Sequence, residues 1–146
     1  MYNLPMTSFR FYYPISVRYG DLDPQGHVNN AKYLTYMEQA RIAYLQHLGL
    51  WDGHSFLDVG IILADARVSF RAAILLGEPI RAGVRISRIG TKSLDMEYIL
   101  ENSESFQVKA DGSSVLVAYS YLNKSTVAVS GAWRRVITEF EKLQDP

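Results

Sequence analysis

The sequence predicts an α+β domain in which one long helix packs against about five mainly antiparallel strands. A single helical pattern, from about Ala31 to Leu48, is followed by strand-like runs and turn signals, and no second helical pattern occurs before Ala132. The chain has 146 residues and is 48% hydrophobic, which is enough apolar material for one core. No repeat, low-complexity tract or linker divides it, so residues 1–146 are expected to form one domain.

The first strand is predicted between Phe9 and Tyr19, where Tyr, Phe, Ile and Val predominate. Pro14 lies within this run and has no backbone N–H, which places the strand at a sheet edge or marks a bulge. The run ends in residues 20–26, where Gly, Asp and Pro indicate a loop that leads into the helix.

The long helix is predicted to have Asn30 as its N-cap and to stop at Gly49. Polar residues share one narrow side at helical spacing, namely Lys32, Thr35, Glu38, Gln39 and Gln46. Apolar and aromatic residues cover a wide arc, namely Tyr33, Leu34, Tyr36, Met37, Ala40, Tyr44, Leu45 and Leu48. So wide an arc indicates a helix that a sheet wraps around.

A connector around Trp51–Val59 separates the helix from the other strands. These strands are predicted near Ile61–Arg71, Pro79–Ile89, Ser93–Glu101 and Phe106–Leu122. Within the last run, Asp111-Gly112 is compatible with a two-residue hairpin turn or with an irregularity inside one long strand. A final amphipathic helix is predicted over Trp133–Leu143.

Composition narrows the possible partners and the expected location. Lys plus Arg and Asp plus Glu each number 15, so no overall charge favours nucleic acid or an anionic membrane as a partner. The absence of cysteine excludes disulfides, thiolate zinc sites and a cysteine nucleophile. The first ten residues lack a basic start followed by an apolar segment, and no apolar stretch approaches the ~20 residues of a membrane span. We therefore expect a soluble cytoplasmic protein.

Asp21 and Asp23 lie in the loop that leads into the helix. A helix start presents backbone N–H groups without partners, so carboxylates and hydrogen-bond donors are concentrated there. A carboxylate acts as general base or nucleophile, while amides polarise a carbonyl and stabilise charge on its oxygen. Acyl transfer needs both roles. The same residues also fit a turn that caps a helix, and residue chemistry alone leaves both interpretations open.

His27 follows Asp23 by four residues and is a candidate to orient an acyl group, donate a hydrogen bond or share a proton with the carboxylate. Asn29 and Asn30 add polar side chains at the helix start. The Asp-x-Asp-x-x-Gly spacing is superficially similar to a calcium loop, but its ninth and twelfth positions are Asn29 and Lys32 rather than acidic residues. No metal site is predicted.

Residues 17–34 read Val-Arg-Tyr-Gly-Asp-Leu-Asp-Pro-Gln-Gly-His-Val-Asn-Asn-Ala-Lys-Tyr-Leu, and a specific pattern continues in Met37–Arg41, Ile62–Asp65 and Arg88–Ser93. This pattern resembles the 4-hydroxybenzoyl-CoA thioesterase family over about residues 9–121. The resemblance implies the hotdog fold, in which a five-stranded antiparallel sheet wraps around the long helix. It also implies a homodimer or homotetramer with active sites at subunit interfaces.

For the chemistry, the resemblance implies hydrolysis of an acyl-CoA. Asp23 would be the base or nucleophile, with Asp21 in support, His27 as an assistant and the Asn30 N–H against the thioester oxygen. Coenzyme A is then part of the substrate, and no other cofactor is expected. The founding enzyme has apolar and aromatic residues where this chain has His27, Asn29 and Asn30. This version is more similar to the acyl-CoA thioesterase branch, so aromatic specificity is not implied.

The phosphates of coenzyme A call for a local cationic rim in a protein without net charge. Arg88 and Lys92 flank a predicted turn, and Ser93 adds a hydroxyl. Resemblance supports Lys92 and Ser93, whereas charges at strand ends also serve solubility. Nearer the loop, the predicted substrate contacts are Tyr19, Asn29 and Tyr33. Core packing is the competing role of Tyr33.

Two other functions stay open. A hotdog dehydratase would use His27 and Asp23 to remove water from a 3-hydroxyacyl thioester and would leave the thioester intact. A non-catalytic acyl-CoA binding module would keep the fold without the chemistry. Acyl chain length does not follow from the sequence.

Overall fold

The computed structural model describes residues 9–144. Its strands are β1 (Phe11–Ile15), β2 (Ile61–Phe70), β3 (Ile80–Ile89), β4 (Ser93–Asn102), β5 (Val108–Ser120) and β6 (Ser125–Thr126). Its helices are α1 (Asn30–His47) and α2 (Gly131–Glu141), with short 3-10 turns at Tyr19–Asp21 and Phe56–Asp58. Residues 1–8, on which the predicted features of the amino end fall, and residues 145–146 lie outside this described part.

The sheet is antiparallel, in the order β1-β3-β4-β5-β2, with β6 paired to β5. It curls around α1, which packs against β1, β3 and β4. This is the hotdog fold. The predicted architecture, a long central helix, five main strands and a C-terminal helix, is confirmed. Within residues 9–144, no helix has both the length and the apolar composition needed to span a lipid bilayer.

The core lies between α1 and the concave face of the sheet. Ala40, Tyr44 and Leu45 of α1 have no exposed surface and belong to one cluster with buried residues of β3, β4 and β5. The predicted apolar arc is wrong at Leu34, which is 42% exposed, and it omits Arg41, which is buried.

Arg41 is buried because its charge has partners there. Arg41 Nη1 donates to Tyr98 Oη at 2.9 Å, and Tyr98 Oη lies 2.6 Å from Ser114 Oγ. Burial of a charged group requires such hydrogen bonds. Both partners lie more than 50 residues away in the sequence, so helical periodicity does not reveal them.

The start of α1 differs from the prediction by one residue. Asn29, rather than Asn30, is the N-cap, because Asn29 Oδ1 accepts the Ala31 N–H at 2.9 Å. α1 therefore begins at Asn30. α2 also begins earlier than predicted, since the hydroxyl of Ser130 accepts the Trp133 N–H and caps it.

The strands β2, β3 and β4 begin and end within one residue of their predicted bounds. β1 is shorter than the run from Phe9 to Tyr19, because Tyr19 starts a 3-10 turn that redirects the chain. β1 is an edge strand that contains Pro14, so the predicted edge position is confirmed.

Asp111-Gly112 lies inside the continuous strand β5, so the hairpin alternative is wrong. Gly112 allows α1 and β2 to pack closely against β5 at this position. A Cβ at this position would lie 3.0 Å from Met37 Sδ and 2.6 Å from Arg67 O. The missing side chain lets α1 approach the sheet.

Candidate active site

The loop between β1 and α1 is closed by its own backbone. Leu22 and Val28 face each other in an isolated antiparallel bridge, and the Asp23 N–H donates to His27 O at 2.8 Å. The Gly26 N–H donates to Asp23 O at 3.0 Å. Gly26 has a φ of 83°, a conformation that glycine adopts without strain. These bonds hold Asp23 and His27 in one turn.

The Asp23 carboxylate is oriented by this turn. Asp23 Oδ1 accepts the N–H groups of Gln25 at 2.9 Å and His27 at 3.2 Å. Oδ2 has no hydrogen-bond partner among residues 9–144. The half-buried carboxylate therefore has one oxygen fixed and one oxygen available to a substrate or water.

Asp21 has a different environment. It is buried, and its Oδ2 accepts the Tyr36 hydroxyl at 2.7 Å and the Arg18 N–H at 3.0 Å. Burial alone would raise the pKa of Asp21, but these two hydrogen bonds outweigh it and lower the pKa. Asp21 O also accepts the Asn29 N–H at 2.8 Å. Asp21 thus ties the loop to α1.

The start of α1 leaves one amide available. The Ala31 N–H is used by the side chain of Asn29, and the Lys32 N–H donates to Asn29 O at 2.8 Å. The Asn30 N–H, the first amide of the helix, has no acceptor in the described part of the chain. It lies at the positive end of the helix dipole, where a developing negative charge is stabilised. Asn29 was predicted to contact the substrate, but its Oδ1 accepts the Ala31 N–H and caps the helix.

The other predicted contacts near the loop have distinct surroundings. The His27 side chain is exposed and makes no hydrogen bond within residues 9–144, and Tyr19 is 83% exposed. Tyr33 is buried, its hydroxyl donates to Ala72 O at 3.2 Å, and its ring packs edge-on against Phe70. The structure therefore places Tyr33 in the core beneath the loop.

The predicted cationic rim lies at the β3–β4 turn. Arg88 and Lys92 are exposed there, beside Ser93. Arg88 Nη1 lies 3.8 Å from Asp95 Oδ2, and Lys92 Nζ donates to Thr126 Oγ1 at 3.3 Å. Exposed pairs of this kind are weak and leave both cations available to an anion.

This turn and the Asp23 loop lie at opposite ends of the sheet. Ser93 pairs with Val117, near the first residue of β2, whereas Tyr33 contacts Phe70, the last residue of β2. β2 has 10 residues, so its ends are about 30 Å apart. One chain does not bring the β3–β4 turn to Asp23.

A cavity of about 660 Å³ lies between the exposed side of α1 and the first part of β2. Its wall includes Glu38, Arg41 and Ile42 of α1, Leu63 of β2 and Phe56 of the connector. Its size is typical of small-molecule sites. Arg41 was not predicted from the sequence to line this cavity. The local feature that could have indicated it is its i,i+3 spacing from Glu38, with which it forms an ion pair.

The residues 9–144 contain no group of three or more His, Cys, Asp or Glu side chains placed to hold a metal ion. Asp21 is engaged by Tyr36, and the side chains of Asp23 and His27 supply no third ligand. We assign no metal ligands.

The matching family profile and the similarity to a solved thioesterase structure place the chain in the thioesterase-like class. The family follows from similarity to known proteins. The profile of the Thioesterase-like superfamily matches residues 17–137, and the chain belongs to this family.

Three known proteins are similar to this chain. A thioesterase from Thermus thermophilus, complexed with coenzyme A and Zn, is 33% identical with a TM-score of 0.83, over 95% of this chain and 100% of that chain. The long-chain acyl-CoA thioesterase FadM of Escherichia coli (strain K12) is 23% identical over 88% of this chain and 97% of FadM. The protein YsmA of Bacillus subtilis (strain 168) is 31% identical over 67% of this chain, and the chain covers 65% of YsmA, just under two thirds of its length.

Proposed function

We propose that the protein hydrolyses an acyl-CoA to the free acid and coenzyme A. The observation that carries the proposal is Asp23 Oδ2, a carboxylate oxygen without a partner among residues 9–144, in a loop that ends at the unpaired Asn30 N–H. The Thermus thioesterase complexed with coenzyme A and the FadM similarity support an acyl-CoA as substrate. A cytoplasmic location is also part of this proposal.

In the hydrolytic step, Asp23 removes a proton from water while the water oxygen bonds to the carbonyl carbon. The Asn30 N–H donates to the carbonyl oxygen as that oxygen gains charge. The C–S bond then breaks, and the coenzyme A sulfur takes the proton from Asp23. A general base typically contributes about 10²–10⁴ in rate and one oxyanion donor about 10²–10³.

In a second route, Asp23 attacks the carbonyl itself, the thiolate leaves, and water opens the resulting anhydride. Repeated turnover in H₂¹⁸O tests for the second route. Mass spectrometry of the peptide that contains Asp23 will find ¹⁸O in the carboxylate when water opens the anhydride at the aspartyl carbonyl. A carboxylate that stays unlabelled after many turnovers excludes opening at that carbonyl, and leaves the general base or opening of the anhydride at the acyl carbonyl.

We further propose that two copies of the chain complete each site. β2 is an edge of the sheet, and its residues 62–67 are exposed. If two β2 edges pair antiparallel about a two-fold axis, the first end of one β2 lies beside the last end of the other. The β3–β4 turn of one copy then lies near the Asp23 loop of its partner, where Arg88, Lys92 and Ser93 can contact the phosphates and pantetheine of coenzyme A. A tetramer would be two such dimers.

Mixing inactive variants tests the shared site. We expect Lys92→Ala to raise KM because a phosphate contact is lost, and Asp23→Asn to remove turnover. In a refolded equimolar mixture, half of the dimers are mixed, and each has one intact site, which is about a quarter of all sites. Activity at subsaturating substrate should therefore rise above that of both variants. A mixture with only the average activity of the two would contradict the shared site.

For the acyl group, we propose a medium to long aliphatic chain that lies along α1. The cavity begins near Thr35 and extends to Gln46, about 16 Å along the helix axis, on the helix that begins with the Asn30 N–H. A thiol-release screen over short, medium, long and aromatic acyl-CoAs tests activity and length together. We expect kcat/KM to increase with chain length, and Ile42→Trp to shift the preference to shorter chains by filling the cavity.

The dehydratase alternative rests on the exposed His27 side chain in the same loop as Asp23. A dehydratase acting on a 3-hydroxyacyl-CoA would form an enoyl thioester and release no thiol. A non-catalytic binding module would bind acyl-CoA and release no thiol from any substrate. Thiol release by the wild-type protein excludes the binding module and shows thioester cleavage.

A further inference from the structure

An ion pair between a buried lysine and a partly buried glutamate organises the connector between β2 and β3, residues 71–79. Lys109 of β5 is 4% exposed, and its Nζ lies 2.8 Å from Glu78 Oε1 and donates to Ala73 O at 3.0 Å. Glu78 Oε2 accepts the Leu75 N–H at 2.8 Å. One ammonium group thus holds both the middle of the connector and its end.

The same lysine holds the beginning of the connector through its backbone. Lys109 O accepts the Arg71 N–H at 2.8 Å and the Ala72 N–H at 3.1 Å. Burial alone would raise the pKa of Glu78, but hydrogen bonds from Lys109 and the Leu75 amide outweigh it and lower the pKa. Glu78 is therefore a carboxylate at neutral pH. Loss of either side chain leaves the remaining charge without its partner of opposite charge.

The connector is bonded in turn to the Asp23 loop. The Val28 N–H donates to Ile74 O at 2.9 Å, and His27 and Leu75 face each other in an antiparallel bridge. Ile74 has no exposed surface, which anchors this contact in the core. His27 then contacts Asp23 twice, by its N–H at 3.2 Å to Oδ1 and by its carbonyl oxygen at 2.8 Å to the Asp23 N–H.

We propose that Lys109 and Glu78 are positioning residues for the reaction. Their ion pair holds the connector against the loop and so fixes the Asp23 carboxylate relative to the Asn30 N–H. This inference rests on the proposed hydrolysis at Asp23. Neither side chain needs to touch substrate, because a misplacement of about 1 Å at a reacting group lowers rates by as much as 10²-fold.

The first test compares two cation deletions. We expect Lys109→Met to lower kcat per folded molecule by about 10–100-fold while KM changes by less than about twofold. Arg85→Met is the matched control, since it breaks a contact of 3.1 Å between Arg85 and Glu97 on β3 and β4. It should lower the unfolding midpoint and leave kcat unchanged. Equal kcat values for the two variants would overturn the proposal.

A second test separates position from stability. The double variant Lys109→Met with Glu78→Gln contains no unpaired charge, so its unfolding midpoint should recover, whereas its kcat should stay low because the contact from Lys109 Nζ to the connector is still absent. In the double variant Lys109→Met with Asp23→Asn, the residual rate should equal that of Asp23→Asn alone, because Lys109 acts on the rate through Asp23. Two results would contradict the positioning role: a kcat that recovers together with stability in the first double variant, or rate losses from Lys109→Met and Asp23→Asn that multiply in the second.

Amide hydrogen exchange gives a readout that does not depend on catalysis. The Val28 and Asp23 amides should exchange at least about tenfold faster in Lys109→Met and at the wild-type rate in Arg85→Met. A wild type without thioesterase activity, combined with this faster exchange, would reject the proposed function and keep the structural tie. An active wild type with unchanged exchange and kcat in Lys109→Met would reject the tie alone.

Discussion

The polar groups at the two ends of α1 differ in their hydrogen bonding. At the first end, the Asn30 N–H and one oxygen of Asp23 have no partner among residues 9–144. Near the other end, Tyr44 donates to Glu141 Oε2 at 2.6 Å, and the same oxygen accepts the Ile86 N–H at 3.0 Å. Paired groups stabilise the fold, whereas unpaired groups at a surface loop are available to a substrate. In the proposed function, the first end of the helix carries the chemistry.

The same contrast holds between the two aspartates of the loop. Asp21 is buried and bonded to Tyr36 and Arg18. Within the described residues 9–144, Asp23 is held only by backbone amides of its own turn. Two carboxylates that lie two residues apart therefore have separate tasks. Asp21 fixes the loop on the helix, and Asp23 faces the substrate in the proposed function.

Apart from changes at Asp23 itself, Asn30→Pro should have the largest effect among the variants that probe the helix ends. Proline lacks the N–H but fits the first position of a helix, and Asn29 already has the extended conformation, φ −59° and ψ 137°, that precedes proline well. Loss of this one donor should lower kcat by about 10²–10³-fold. Asn30→Ala keeps the amide and should retain most of the activity. Steady-state thiol release measures both, and equal rates would remove the amide from the mechanism.

Asp21→Ala should mainly lower stability. It leaves the buried Tyr36 hydroxyl and the Arg18 N–H without their acceptor, which costs about 1–3 kcal/mol of unfolding free energy. Because the folded pKa of Asp21 is lowered, its stabilising effect is present above its ordinary pKa of 3.8 and is lost as pH falls through the lowered pKa. Urea unfolding as a function of pH should show the difference between the two proteins shrink in acid. A constant difference would mean that the charge of Asp21 is irrelevant.

Glu141→Gln should have the smallest effect and the opposite sign. Burial raises the pKa of Glu141 above its ordinary value of 4.5, so its contribution to stability is full below that value and is lost as pH rises through the folded pKa. Glutamine keeps an acceptor for Tyr44 and removes the half-buried charge. The free energy of unfolding of the variant should equal that of the wild type at about pH 4 and be slightly higher at about pH 8, with kcat unchanged. A less stable variant at both values would show that the charge is needed.

The fold and the Asp23 loop could be predicted because their signals are local. Helical spacing over α1 and the turn residues around Gly26 lie in continuous segments, and the N-cap was displaced by only one residue. The resemblance assigned different roles to Asp21 and Asp23, whereas residue chemistry alone did not distinguish them. Their different hydrogen bonds were visible only once the loop was folded.

What escaped prediction depends on contacts between distant segments. Lys109 and Glu78 are 31 residues apart, and each reads as an ordinary surface charge in the sequence. Arg41 of α1 is buried with its charge bonded to Tyr98, which lies on β4, 57 residues further along the chain. The distance from the Asp23 loop to the β3–β4 turn is likewise a property of the folded sheet, and it makes a second copy of the chain part of the proposed site.

The most direct test of the central claim is thiol release by Asp23→Asn, together with acyl-CoA binding by the same variant. Asparagine keeps the size of the side chain and an oxygen for the Gln25 and His27 amides, but it is neither a base nor a carboxylate nucleophile. We predict that turnover falls by about 10²–10⁴-fold while the unfolding midpoint and the affinity for acyl-CoA stay close to wild type. Turnover near the wild-type rate in a folded, ligand-binding Asp23→Asn would contradict the account.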